Sequence, residues 1–251
     1  MKADKKNALV TGGAVRIGRG LSLMLADLGF GVVVHYGRSE REARALVEQI
    51  GASGGRAWAL QADLSDEKEC ASLTDRAASE AGPLSVLINN AAVFDRDALR
   101  SVDWDTAIRQ FRINLLAPLT LSGAFVDASE SGKIIHMLDR RIHAFDEGHV
   151  SYVLAKKALA ECVMGMARAF APRFTVNGVA PGPVLPPPGE GEDYLAEKAG
   201  RVPLERPCNV EQVAAAVLFL LQSDTITGQV LYVDGGQHLL SEEELQGGRA
   251  V

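Results

Sequence analysis

Apolar positions along the chain follow two rhythms that take turns. Asn7–Val10 is a short apolar run, and Leu21, Leu25 and Leu28 then recur at helical spacing. Val32, Val33 and Val34 leave Gly31–Tyr36 without a polar face, as a strand covered on both sides requires. Ser39 opens a charged helix, with Glu42 three residues on to complete a capping box. The alternation continues with strands at Arg56–Gln61 and Leu84–Asn89 and a helix at 66–81 between them. Residues 103–125 read as mainly helical, with Pro118 as a kink or interruption. Then come a strand at 133–138, a long amphipathic helix at 152–170, a strand at 174–179, a helix at 210–221 and a last strand at 229–233.

Strands separated by helices call for right-handed crossovers and a parallel sheet. The expected fold is α/β: a single-domain, Rossmann-like, doubly wound parallel sheet with helices on both faces, spanning 1–251. No fixed-period repeat and no linker interrupts it. The run Pro186, Pro187, Pro188 belongs to a substrate loop around 183–200 above the sheet. Acids in that loop (Glu190, Glu192, Asp193) disfavour a highly anionic substrate. The tail beyond Gly236, with Glu242, Glu243 and Glu244, is expected to be exposed.

Composition narrows the partners. A net charge of −6 gives no general attraction to nucleic acid or an anionic membrane. Three widely spaced cysteines (Cys70, Cys162, Cys208) form neither a disulfide framework nor a zinc pattern, and no apolar run reaches spanning length. With no signal peptide in MKADKKNALV, a cytoplasmic protein is expected. His136, His143 and His149 lack the spacing of a metal site, so no metal is expected.

The first strand ends in VTGGAVRIGRG and feeds a helix, which makes an anion site of backbone N–H groups and the helix N-terminus. Gly12 permits the tight turn and Gly18 close packing, while Arg16 sits where a third glycine is common. The next strand ends in His35 and Tyr36, followed by Gly37, Arg38 and Ser39, with no acid before Glu40. An acid there would bond the ribose of NAD; an arginine and a serine instead suit a 2′-phosphate, so NADPH is expected. Asp63 follows the third strand in position to approach the adenine amino group, with Ser65 as the better cap for the next helix. Further on, Tyr152 and Lys156 share one helical face, and an ammonium beside a phenol lowers its pKa.

Together these segments resemble the short-chain dehydrogenase/reductase family over nearly the whole chain: TGGAVRIG, NNAA at 89–92, Asn114, YVLAK at 152–156, NGVAPGPV at 177–184 and the closing ITGQVLYVDGG. The resemblance implies Tyr152 as acid/base, Lys156 as its tuning partner and ribose contact, and Asn114 as support for a water-linked proton relay. It implies a cofactor site of Gly12, Arg16, Ile17, Gly18, Tyr36, Arg38, Ser39, Asp63, Leu64, Asn90, Ala91, Lys156, Pro181 and Gly182. A homotetramer is also implied.

Two departures point to the substrate. Thirteen residues before Tyr152, where most members carry serine, stands Asp139. A carboxylate accepts bonds from N–H groups, as a nitrogen heterocycle offers. Arg16 is placed to bridge a cofactor phosphate and an acceptor on the substrate. This pair, with Phe94 as a stacking ring, resembles the pteridine and dihydromonapterin reductases, so the substrate site expected is Arg16, Phe94, Asp139 and Tyr152, holding a pterin-like small molecule. The alternatives are a carbonyl reductase acting on a 3-oxoacyl thioester, sugar or quinone, and a non-catalytic NADPH-binding protein. Arg140 and Arg141 are open between exposed charge and substrate contact.

Overall fold

The computed structural model describes residues 6–144, 146–186, 193, 202–206 and 208–240. Seven parallel strands form one sheet: β1 (Asn7–Val10), β2 (Gly31–Tyr36), β3 (Arg56–Gln61), β4 (Leu84–Asn89), β5 (Gly132–Met137), β6 (Phe174–Pro181) and β7 (Val230–Val233). Their spatial order is β3-β2-β1-β4-β5-β6-β7, so the chain starts in the middle, runs to one edge and then reverses to the other. The reversal opens between β1 and β4, where such sheets hold ligands.

Period-two alternation sorts the strand side chains into two cores. Ala8 and Val10 of β1, with Val32 and Val34 of β2, face one layer; Leu9 and Val33 face the other. The first layer is closed by α1 (Arg16–Asp27), α2 (Glu40–Ala52) and α7 (Val210–Gln222). The second is closed by α3 (Glu67–Ala81), α5 (Ala117–Ala128) and α6 (Val150–Phe170). All six residues of β2 are buried, which the valine run requires. Each such valine contributes roughly 1.5–3 kcal/mol by leaving water.

Local details differ from the sequence expectations at helix starts. Ser39 is the N-cap of α2, but its side chain makes no capping bond, so the Ser39–Glu42 box is not formed. Asp66, not Ser65, caps α3, its carboxylate accepting from the N–H groups of Lys68 and Glu69. Ser65 instead donates to Asp63, at 2.7 Å from the hydroxyl and 2.9 Å from the backbone. The helical stretch from 103 is capped by Asp103, begins with α4 (Trp104–Phe111), loosens into a π-helical turn at Arg112–Leu116 and tightens again as α5. Pro118 falls in the first turn of α5, directly after the π-helical turn, so the helix loosens there rather than stops. Gln237, just beyond Gly236, is buried, so the exposed tail expected after Gly236 does not start there; Glu242, Glu243 and Glu244 lie outside the described residues, as do Glu190 and Glu192. No helix among the described residues is long and apolar enough to cross a membrane.

Candidate active site

The residues singled out in sequence converge on one edge of the sheet, because each follows the carboxyl end of a parallel strand. Gly12 follows β1, Tyr36 ends β2, Asp63 and Leu64 follow β3, Asn90 and Ala91 follow β4, Asp139 follows β5, and Pro181 and Gly182 close β6. The glycine turn is built for close approach. Gly12 has φ +59°, and a Cβ on Gly18 would stand 2.1 Å from the Gly12 carbonyl oxygen, so neither position accepts a side chain. The amide of Asn90 donates to the carbonyls of Thr11 (2.9 Å) and Gly12 (3.1 Å), tying the turn to the end of β4.

A residue not singled out before holds this turn from below. His35 in β2 accepts the Gly12 N–H at Nδ1 (3.1 Å), and its Nε2 lies 3.1 Å from the Ala62 carbonyl, so Nε2 carries the proton. Burial pushes the imidazole down to about 4, with an opposing pull from the Ala62 carbonyl, and the ring stays neutral. The only sequence signal was a polar residue inside an apolar strand.

Arg16 has φ +53°, a strained conformation for a residue with a Cβ. Its Nη1 donates to the Pro186 carbonyl (3.0 Å) and its Nη2 to that of Leu185 (3.3 Å), so it spans 170 residues to hold the segment that follows β6. Val15 caps α1 without a side-chain bond, and no acid lies in the first turn of that helix. Arg38 is exposed beside Ser39, whose hydroxyl is not used as a cap. This donor set fits a dinucleotide carrying a 2′-phosphate: a glycine cradle that a Cβ would fill, an uncapped helix N-terminus, and an arginine and a serine past β2.

Opposite the cradle, Tyr152 and Lys156 lie on the first turns of α6, both buried. The Tyr152 hydroxyl donates to Asp139 Oδ2 at 3.0 Å. Lys156 Nζ donates to the Met137 carbonyl at 2.6 Å and sits 5.9 Å from the tyrosine ring centroid. The expected lowering of the tyrosine pKa is reversed here. Burial first, and the Asp139 carboxylate second, hold the phenol well above its usual range, while the lysine points to backbone rather than to the hydroxyl. Lys156 is itself pushed down to about 8 by burial, against the pull of Asp139.

Asn114 lies in the π-helical turn, an irregularity common at functional sites. Its amide accepts the Val93 N–H (3.1 Å), donates to the Val93 carbonyl (2.9 Å) and to Gln110 Oε1 (2.7 Å). That fixes the segment carrying Phe94. The Phe94 ring is 45 % exposed, stacks on His149 with centroids 3.8 Å apart, and meets Tyr152 edge-on at 4.7 Å.

The structure adds two carboxylates that sequence did not single out. Asp97 receives the Ser151 N–H and hydroxyl at the start of α6. Asp146 accepts from Arg141 Nε (2.9 Å), pairs with His149 Nδ1 (3.2 Å), and takes the Gly148 N–H (2.9 Å). Arg141 also meets Asp139, so it is a site residue rather than a solvated charge. Among the described residues no group of His, Cys, Asp and Glu is arranged to hold a metal.

Comparison with known proteins identifies the family. A family model described as enoyl-(acyl carrier protein) reductase matches residues 13–238. A solved structure described as FolM alternative dihydrofolate reductase 1 from Brucella canis, complexed with NADP, is 34% identical with a TM-score of 0.90, covering 94% of this chain and 95% of that one. A short-chain dehydrogenase/reductase from Serratia marcescens is 30% identical with a TM-score of 0.87, covering 93% and 98%. Among curated sequences, 3-oxoacyl-(acyl-carrier-protein) reductase FabG of Staphylococcus aureus is 32% identical over 93% of this chain and 98% of its own length. The chain belongs to the short-chain dehydrogenase/reductase family of oxidoreductases.

Proposed function

We propose that this protein is an NADPH-dependent reductase of a pterin, acting on a C=N bond of a dihydropterin or dihydrofolate-like ring. The observation that carries this reading is the Tyr152–Asp139 hydrogen bond of 3.0 Å beside the half-exposed Phe94 ring. A carboxylate in place of serine accepts N–H groups of a heterocycle, and Phe94 offers a face for its ring. The NADP-bound FolM neighbour supports both the cofactor and the substrate class.

Bound NADPH supplies the hydride. Gly12, Ile17, Gly18, Asn90, Ala91, Pro181 and Gly182 would surround the dinucleotide; Arg38 and Ser39 would take its 2′-phosphate, with Tyr36, Asp63 and Leu64 towards the adenosine end. Arg16, at the start of α1, would reach the pyrophosphate and the substrate edge on leaving the Leu185 and Pro186 carbonyls. Tyr152 keeps its proton at Oη through neutral pH, because burial and Asp139 both favour the phenol, and so serves as the acid. Lys156 remains an ammonium below about 8 and stabilises the phenolate left after proton transfer. Asp139 orients the ring N–H groups, and Asn114 holds the Phe94 segment and supports proton resupply. Exposed Trp104 and Ile108 of α4 and Leu154 and Met164 of α6 are apolar surface for packing copies into a homotetramer.

The FabG relatives favour a second reading, reduction of a 3-oxoacyl thioester. Oxidation of NADPH by the purified protein decides between them, with dihydrobiopterin, dihydromonapterin, dihydrofolate and an acetoacetyl thioester as substrates. Turnover of pterins alone is expected. Thioester turnover without pterin activity would overturn the first reading.

A further inference from the structure

Arg141 lies between Asp139 and Phe94, the two side chains proposed to hold the substrate. It lies in the 3-10 turn Arg140–Ile142, directly after Asp139. Its Nη1 donates to Asp139 Oδ2 at 3.2 Å, and its Cζ lies 5.0 Å over the Phe94 centroid. Asp139 and Arg141 are largely withdrawn from water, with side chains 15% and 24% exposed.

A guanidinium is a planar, unsaturated N–C–N unit with a fork of N–H donors and a face that stacks on aromatic rings. The aminopyrimidinone edge of a pterin is also a planar N–C–N unit with adjacent N–H donors. Asp139 supplies the acceptor and Phe94 the stacking face for both. One carboxylate oxygen already shared by Tyr152 and Arg141 has no room for a third strong donor in the same plane.

We propose that Arg141 is a built-in pseudo-ligand. It occupies the donor position between Asp139 and Phe94 in the free protein and yields it to a heterocycle that brings its own N–H fork. This inference rests on the pterin reading for the identity of the incoming ring. The anchoring of Arg141 fits such an exchange. Asp146 holds its side chain through Nε and Asp139 Oδ2 accepts from Nη1, while the Arg141 backbone N–H stays on Asp139 Oδ1 at 2.8 Å. Swinging the planar guanidinium away breaks its contacts with Asp139 and Asp146 together and frees Oδ2, while the backbone bond keeps Oδ1 on its own turn. Asp146 is in turn fixed by the Gly148 N–H and by His149. The arrangement also selects. A ligand offering only a carbonyl brings an acceptor to an acceptor and cannot replace the guanidinium, whereas a donor fork can.

The test is equilibrium binding to the NADP⁺-saturated protein, which needs no turnover. Two probes are used: pterin, followed by its fluorescence, and benzamidine, a flat ring carrying an amidinium fork. Arg141→Met keeps the stem and removes the fork; Arg141→Lys keeps the charge without the fork. Arg141→Met is expected to bind pterin about tenfold more tightly, the scale of one charge-assisted hydrogen bond no longer displaced. It should also gain benzamidine binding that Asp139→Asn abolishes. Arg141→Lys should fall between wild type and Arg141→Met, and it decides the matter if Arg141→Met does not fold.

The outcomes separate the two claims. Equal or weaker pterin binding in the variants, at unchanged NADP⁺ affinity, makes Arg141 a brace and overturns the inference while leaving the pterin reading intact. Benzamidine binding gained through Asp139, with pterin bound by neither protein, supports the pseudo-ligand and overturns the pterin reading. No gain with either probe overturns the inference.

Discussion

Ser151, the residue before Tyr152, gives both its backbone N–H and its hydroxyl to the carboxylate of Asp97, 54 positions earlier in the chain. Asp97 thus caps α6 from a different segment, and that segment also carries Phe94. The segments carrying Phe94 and Tyr152 are therefore tied together by one carboxylate. A negative charge there also complements the helix N-terminus. Asp97→Ala should cost about 1–3 kcal/mol in thermal unfolding, as loss of a cap and of buried bonds does. It should lower kcat at unchanged NADPH affinity, with Asp97→Asn partly restoring both. A variant with full kcat would show that the cap does not position Tyr152.

Asp139 accepts from the Tyr152 hydroxyl at 3.0 Å. Asp139→Ser removes the acceptor for substrate N–H groups and leaves the glycine cradle untouched. Pterin turnover should fall by about 10²-fold, the lower end of what a positioned proton-transfer group contributes. NADPH binding, read by its fluorescence, should not change. Undiminished pterin turnover would remove Asp139 from the site.

His35 predicts how acid acts on the glycine turn. Its imidazole is pushed from an ordinary 6.5 to about 4 in the folded chain, so the unfolded chain binds the proton more readily. The stability it contributes is complete above about pH 6.5 and is lost as pH falls through 4. The shift corresponds to about 3 kcal/mol. Protonation also removes the acceptor that holds the Gly12 N–H. His136, fully buried and pushed from 6.5 to about 3, adds a loss of the same sign that starts at the same pH and continues down to about 3. Melting temperature should therefore fall from pH 6.5 towards 4, less steeply in His35→Gln than in wild type. Parallel curves for the two proteins would contradict the assignment.

Trp104 is 77% exposed on α4, and Met164 is 58% exposed on α6. A tryptophan so placed leaves a large apolar area in water unless another copy covers it. Trp104→Glu should reduce the mass seen by light scattering below that of a tetramer. An unchanged mass would place the contact elsewhere.

The order of elements, the buried valine strand and the gathering of Gly12, Tyr36, Asn90, Asp139 and Pro181 at one sheet edge were legible in the sequence. They depend on short-range periodicity and on a chain direction that all parallel strands share. The Tyr152–Lys156 pair was equally legible, since four residues make one helical turn. The protonation of that pair was not. Spacing suggested a lysine that lowers the phenol's pKa, but burial and Asp139 raise it, and the lysine is turned to Met137. The caps of α2 and α3, the His35 brace, the Asp97–Ser151 cap and the seat of Arg141 on Asp139 likewise came only from the fold. Each depends on which of several chemically suitable groups lies within hydrogen-bonding distance once the core has closed. Local pattern determines which elements form and which of their faces are buried; packing between distant segments decides partners and withdraws them from water, and that desolvation sets their charge.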